Sequence, residues 1–298
     1  MLDVPNQLGT LPQDGASEVA PSRLSLTFSC DGDGRTYLDC QFASYPFHVC
    51  RPHYFPHDVP GMATLYVQSS AGGLYQEDAH DIEIVAKDDA CAHITTQAST
   101  IVHSMERGGA TQRTSIVVGP GCHVEAVPDA LILFPDARLS TGLTIRVHDS
   151  ATAIVGESFL MHDPDAAGSD TDVRSFASYE AKTVVEDWHG VRLAVDRFRI
   201  SGRDVLAATP GITGGTRAQG LFMVLQRGKD LSPLIESLRA GLAQQDDVLA
   251  GISEMPNDAG AWVRMLAPDG AALRAGMLAA WASASETLTG VRPSPRRK

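Results

Sequence analysis

Three segments of the chain repeat one pattern, and that repeat constrains the fold more than anything else in the sequence. Each segment passes through a turn, "KDDA", "GPGC" or "HDSA", and leaves it at Ala90, Cys122 or Ala151. Before the turns stand Ile82, Ile84 and Ala86; then Thr114, Ile116 and Val118; then Leu143, Ile145 and Val147. After them stand Ala92 and Ile94; Val124 and Ala126; Ala153 and Val155. All but Thr114 are apolar or small, and they alternate with the residues between them. A period of two is that of a strand with one buried face. The units recur at spacings of 32 and 29 residues. A strand–turn–strand unit of that size cannot bury its face alone, so like units stack and share a core. The expectation is a mainly β chain, built as a β-helix-like stack of strands. A plain sandwich of similar hairpins is the alternative.

Other runs agree. "LSLTFSC", "RTYLDCQF", "ATLYVQSS", "DIEIVAK", "TSIVVG", "LTIRVH" and "VRLAVDRF" all read as strands between about Arg23 and Ile200. The last third differs. "LSPLIESLRAGL" puts Leu231, Leu234, Ile235, Leu238 and Leu242 on one stripe, with Pro233 in a first helical turn. A second helix carries Leu273, Met277, Ala280, Trp281, Ala284 and Leu288, with Asp269 to cap it and Gly290 to end it. One more strand is expected in "NDAGAWVRMLAPDG". These are about two amphipathic helices packed on a β body. The organisation reads as a disordered lead-in over 1–22, a single domain over 23–290 and a basic tail over 291–298.

Charge and cysteine usage narrow the function classes. The chain of 298 residues carries 24 basic and 36 acidic residues, a net charge of −12, and four of the basic ones lie in the tail "RPSPRRK". Such a body repels phosphate backbones, which argues against a nucleic-acid partner. Five cysteines with no CxxC indicate neither a disulfide framework nor a zinc ribbon. No apolar run is long enough to span a membrane, and the N-terminus lacks the regions of a signal peptide. Together these point to the cytoplasm.

No Walker-type phosphate loop, G-x-S-x-G elbow or H-E-x-x-H helix occurs, so neither nucleotide hydrolysis nor a familiar hydrolase site is indicated. Metal-capable residues are plentiful, and all ten histidines lie between His48 and His189. One cluster is His48, Cys50, His53 and His57; its bland reading is a buried thiol and loop imidazoles. A second follows from the repeat: Cys91 and His93 of one unit, His123 and Glu125 of the next, all pointing away from the core. Stacked rungs would bring them about 5 Å apart; otherwise they are a solvated sheet face. A third is Asp163, Asp165, Asp170 and Asp172, which reads first as a solvated acidic loop. A corner at 69–81, "SSAGGLYQEDAHD", adds Glu77, Asp78, His80 and Asp81 to a glycine turn.

Several ordered segments carry a resemblance: "PFHVCRP", "LYVQSSAGGLYQED", "AHITTQASTIVH", "HVEAVPDALILFPDA", "ATAIVGESFL" and "VRMLAPDGAALRAGMLAAW". Over nearly its whole length the chain resembles the urease accessory proteins of the UreD (UreH) family. Its members show a Gly-Gly-x-x-x-Gly-Asp turn, a Thr-Thr-Gln-Ala segment, then Leu-Glu-(aromatic)-x-Pro leading to Ile-x-Phe-x-x-Ala. Here Gly72, Gly73 and Asp78 match the turn. Thr96, Gln97 and Ala98 match the second motif, and Glu125, Pro128 and Phe134 the third. Glu77 stands where the turn usually has a second glycine, Ile101 where a lysine is common, and the 161–176 loop departs from the family pattern.

The resemblance implies a non-catalytic scaffold with no tightly bound cofactor. Such proteins join UreF and the GTPase UreG on the urease structural subunits, and nickel(II) passes transiently through their interior. It implies a β-helix-like fold with two helices. It makes Asp78 an oxygen ligand or hydrogen-bond anchor near the nickel route. With His80 and the column of Cys91, His93, His123 and Glu125, Asp78 completes the candidate route. The alternatives are a UreD-like scaffold serving another partner without nickel, and a metal-dependent enzyme using that column.

Overall fold

The computed structural model describes residues 20–162, 175–294 and 296. Two sheets face each other across one core. In chain order the strands are β1 (Ser22–Cys30), β2 (Thr36–Ala43), β3 (Phe47–Val49), β4 (Ala63–Ser69), β5 (Ala79–Ala86) and β6 (Cys91–Thr96). There follow β7 (Thr100–Val102), β8 (Ala110–Val118), β9 (His123–Ala126), β10 (Leu131–Leu133), β11 (Arg138–Val147) and β12 (Thr152–Met161). Then come β13 (Ser178–Asp187), β14 (Arg192–Ile200), α1 (Gly202–Leu206), β15 (Ala218–Leu225) and α2 (Ser232–Leu242). The chain closes with β16 (Leu249–Glu254), β17 (Gly260–Ala267) and α3 (Gly270–Thr289).

One sheet runs β14-β13-β11-β8-β5-β1-β2, the other β16-β17-β15-β12-β9-β6-β4-β3. The chain alternates between them: β5 to β6, β8 to β9, β11 to β12. Within each sheet these strands are parallel, which makes the middle of the molecule a stack of rungs. A short third strip, β7 on β10 on the end of β12, closes one side.

The repeat is in register. Ile84 pairs with Ile116 and Ile116 with Ile145; Ala92 pairs with Val124 and Val124 with Ala153. Ala90, Cys122 and Ala151 are all buried at the corners between the sheets. A one-residue slip would turn every one of these side chains outward, so burial fixes the register.

The C-terminal third is more β-rich than its periodicity suggests. β15 and β16 extend the second sheet beside the expected β17. β15, "AQGLFMVL", is buried along nearly its whole length and shows no alternation, because one face meets the core and the other meets the helices. The two long helices are those expected from the sequence. α2 buries Leu234, Ile235, Leu238 and Leu242. α3 is capped by Asp269, whose carboxylate accepts from Ala271 and Ala272 N–H, and ends at Gly290 in the left-handed region (φ 75°). Both helices pack on the outer face of the second sheet, against Phe222, Val224, Val263 and Met265. Among the described residues, no helix is long and apolar enough to cross a membrane.

Candidate functional site

His93 and Glu125 are register partners on adjacent rungs β6 and β9, as are Cys91 and His123. The column is therefore brought together as the repeat requires. It is not solvated. Helix α3 lies over it, and its Trp281 reaches the same carboxylate. Glu125 is 0 % exposed. Its Oε2 accepts from His93 Nδ1 at 2.8 Å and from Trp281 Nε1 at 2.7 Å, and its Oε1 accepts from His123 Nε2 at 3.1 Å. The capping and periodicity of α3 are legible from sequence, but its docking on this column is not.

Electrostatics follow from the geometry. Burial alone would push the Glu125 carboxyl upward, but the hydrogen bonds from His123 and His93 outweigh it and hold the group well below the usual carboxylate range. Burial pushes His93 below the ordinary histidine value, against the pull of Glu125. A carboxylate only accepts, so Nδ1 of the neutral imidazole carries the proton and Nε2 carries the lone pair. That Nε2 is buried and has no hydrogen-bond partner among the described residues. Cys91 is pushed up to about 12 by burial, with Glu125 adding to the shift, so its thiol stays protonated at neutral pH. Among the described residues no three His, Cys, Asp or Glu side chains are grouped so as to hold a metal ion.

The glycine corner has a separate geometry. Asp78 Oδ2 accepts from Tyr75 N–H at 2.7 Å, and the Asp78 carbonyl accepts from Thr111 N–H at 2.8 Å. Asp78 thus ties the turn to itself and to the next rung. Glu77, in the place of a family glycine, has φ 67°. Gly73 is required by its surroundings: at φ 148° an added Cβ would lie 2.1 Å from the Ile101 carbonyl oxygen. His80 turns inward. It is buried edge-on against Phe47, ring centroids 4.8 Å apart, and burial pushes it below the ordinary histidine value despite Asp78 and Asp81.

His80 lines a cavity of about 330 Å³ between the sheets. The repeat explains the cavity's polarity. One step beyond Ile82, Thr114 and Leu143 stand His80, Gln112 and Thr141, paired in register across β5, β8 and β11. One step beyond Ile94, Ala126 and Val155 stand Thr96, Pro128 and Glu157, which face the same space. The interior is dry at its centre and polar at this end. Glu157 accepts from Thr183 Oγ1 at 2.7 Å, and burial raises its pKa, with Asp196 adding to the shift. Gln112, Thr141 and Glu157 were not singled out from sequence, although extending the repeat by two residues each way reaches them.

The remaining candidates lie elsewhere. His48 is exposed on the edge strand β3, and His57 is exposed on the loop before β4. His53 stacks on Phe55 with centroids 6.1 Å apart. Asp163, Asp165, Asp170 and Asp172 lie outside the described residues.

The rungs, the glycine corner and the capped C-terminal helix all belong to segments that carry the family resemblance, and comparison with known proteins agrees. The family model described as "UreD urease accessory protein" matches residues 20–298. A protein named urease accessory protein UreD 1 from Methylorubrum extorquens is 38% identical, over 98% of this chain and 99% of its own. UreD 1 of Pseudomonas syringae pv. syringae is 34% identical over 92% of this chain and 94% of its own. UreD of the archaeon Haloarcula marismortui is 32% identical over 92% and 89%. Matches of this extent leave one conclusion: the chain belongs to the UreD family of urease accessory proteins.

Proposed function

We propose that this protein is a non-catalytic scaffold that passes nickel(II) through the polar end of its interior during urease maturation, in a complex with UreF and UreG. The observation that carries the reading is the cavity between the sheets, with His80, Gln112, Thr141 and Glu157 on its wall. An imidazole, a carboxyl and neutral oxygens suit a borderline divalent ion. They are spread along the rungs rather than gathered at a point, so each holds the ion weakly and releases it. A tight site would trap the cargo. In this reading Asp78 fixes the turn that sets His80, and the column of Cys91, His93, His123 and Glu125 keeps α3 on the body beside the passage.

The test is co-expression with the urease structural genes and the two partner proteins. The wild type is expected to co-purify with UreF and UreG and to support nickel-dependent urease activation. A double variant, His80→Ala with Glu157→Gln, is expected to keep the complex and lose most of the activation. Full activation by the double variant would overturn the conduit, and failure to retain UreF would overturn the scaffold.

A further inference from the structure

A second, smaller pocket lies on the other side of the second sheet, beneath α3. It measures about 90 Å³, roughly three times the share of one water in the liquid. His93, Asp129, Arg274, Trp281 and Arg296 are on its wall. Arg296 lies beyond the end of α3 and, like Ser294, meets Asp58. Its Nη1 pairs with Asp58, whose other oxygen accepts from Ser294 N–H at 3.2 Å. Its guanidinium lies over the Trp281 ring, 4.9 Å from the centroid, and its side chain is only 5% exposed.

One edge of that guanidinium is unused. Arg296 Nε and Nη2 are buried and have no hydrogen-bond partner among the described residues, and the same holds for His93 Nε2. The Nε–Nη2 edge is a planar fork matched to two oxygens of an oxyanion. His93 Nε2 requires the opposite, a donor. Asp58 engages the far side of Arg296. A cation would meet the guanidinium, and an apolar ligand would leave three polar atoms unpaired.

We infer that this pocket binds a small, singly protonated oxyanion of the hydrogen carbonate or hydrogen phosphate type. Two oxygens accept from Arg296 Nε and Nη2, and the hydroxyl donates to His93 Nε2. Occupancy would link Arg296 to the rung that carries the Glu125 network. The inference stands apart from nickel transfer, since neither Arg296 nor His93 lines the cavity between the sheets, although Asp129 borders both spaces.

Full-length protein labelled with 15N in its histidine rings is titrated at pH 7.5 with sodium hydrogen carbonate, phosphate, acetate or chloride, with calorimetry in parallel. Hydrogen carbonate or phosphate is expected to shift the His93 Nε2 signal saturably, with one-to-one binding. Whichever of the two binds more tightly identifies the ligand. Acetate keeps the fork but lacks the hydroxyl, and is expected to bind at least about tenfold more weakly. Arg296→Lys keeps the charge but loses the fork, and is expected to weaken binding by about tenfold or more. The assignment is overturned if neither oxyanion gives a saturable shift in the wild type, if acetate binds equally well, or if Arg296→Lys binds as tightly as the wild type.

Discussion

Trp281 donates its indole N–H to Glu125 at 2.7 Å across 156 residues of sequence. The bond joins the last helix to the middle rung of the stack. Two histidines on the same rungs complete the set, so one buried carboxylate fixes two strands and a helix. A buried charge is tolerable only when such donors surround it. Glu125→Gln keeps the size but supplies a single acceptor oxygen where three donors converge. It is expected to lower stability by about 2–4 kcal/mol. Trp281→Phe removes one charge-assisted bond and is expected to cost about 1.5–3 kcal/mol. Denaturant midpoints of the two variants check this, and a Glu125→Gln protein as stable as the wild type would refute the hub.

The same groups set the acid response. Folding holds Glu125 below its ordinary value of 4.5, so its contribution is present above that pH and is lost as pH falls towards the folded pKa. His93 and His80 are also lowered from 6.5 on folding. The unfolded chain therefore takes up protons first, and stability declines as pH drops below 6.5. Two successive losses are expected on acidification, one below 6.5 from the histidines and one below 4.5 from Glu125. Midpoints measured at pH 8, 6, 5 and 4 give the profile, and Glu125→Gln should flatten the second step. Stability that rises from pH 7 to pH 5 would contradict the assignment.

At the glycine corner two substitutions act in opposite directions. Gly73→Ala forces a Cβ to within 2.1 Å of a backbone oxygen. Backbone strain alone is worth roughly 1–3 kcal/mol, and the clash adds to it. Glu77→Gly releases a side chain held at φ 67°, and is expected to add about 0.5–1 kcal/mol after the entropy of the new glycine is subtracted. Thermal unfolding distinguishes the pair; equal melting temperatures for both variants and the wild type would show that the corner bears no strain.

How far the sequence could be read follows from what kind of physics wrote each feature. The register of Ile84, Ile116 and Ile145 was legible because a shared dry core repeats one constraint at each rung. Cys91, His93, His123 and Glu125 came with it, since outward positions follow once inward ones are fixed. What covers that face was not legible. The stripe on α3 says that Trp281 is buried, and nothing local says against which strand. β15 was hidden for a related reason: buried on both faces, it has no period to read. The polar end of the interior, His80 to Thr141 and Thr96 to Glu157, lay just beyond the apolar positions that define the repeat. A pattern anchored on hydrophobicity stops where these polar residues begin.

Glu157 puts a sign on that last point. Burial raises its pKa, so the folded state disfavours the charged carboxylate. Its stabilising share is present below the ordinary 4.5 and is lost as pH rises through the folded value. At neutral pH the residue thus costs stability where an amide would not. Glu157→Gln keeps an oxygen for Thr183 and removes the ionisable group, and is expected to raise stability at pH 7.5 by roughly 0.5–2 kcal/mol. A residue retained only for packing would not show that gain. If Glu157 serves cation passage, the same variant should slow nickel-dependent urease activation while melting at a higher temperature. Unfolding midpoints at pH 7.5 and pH 4.5, read beside activation rates, separate the outcomes: a stabilised variant with normal activation would remove Glu157 from the route, and a destabilised one would show that its carboxylate is satisfied where it lies.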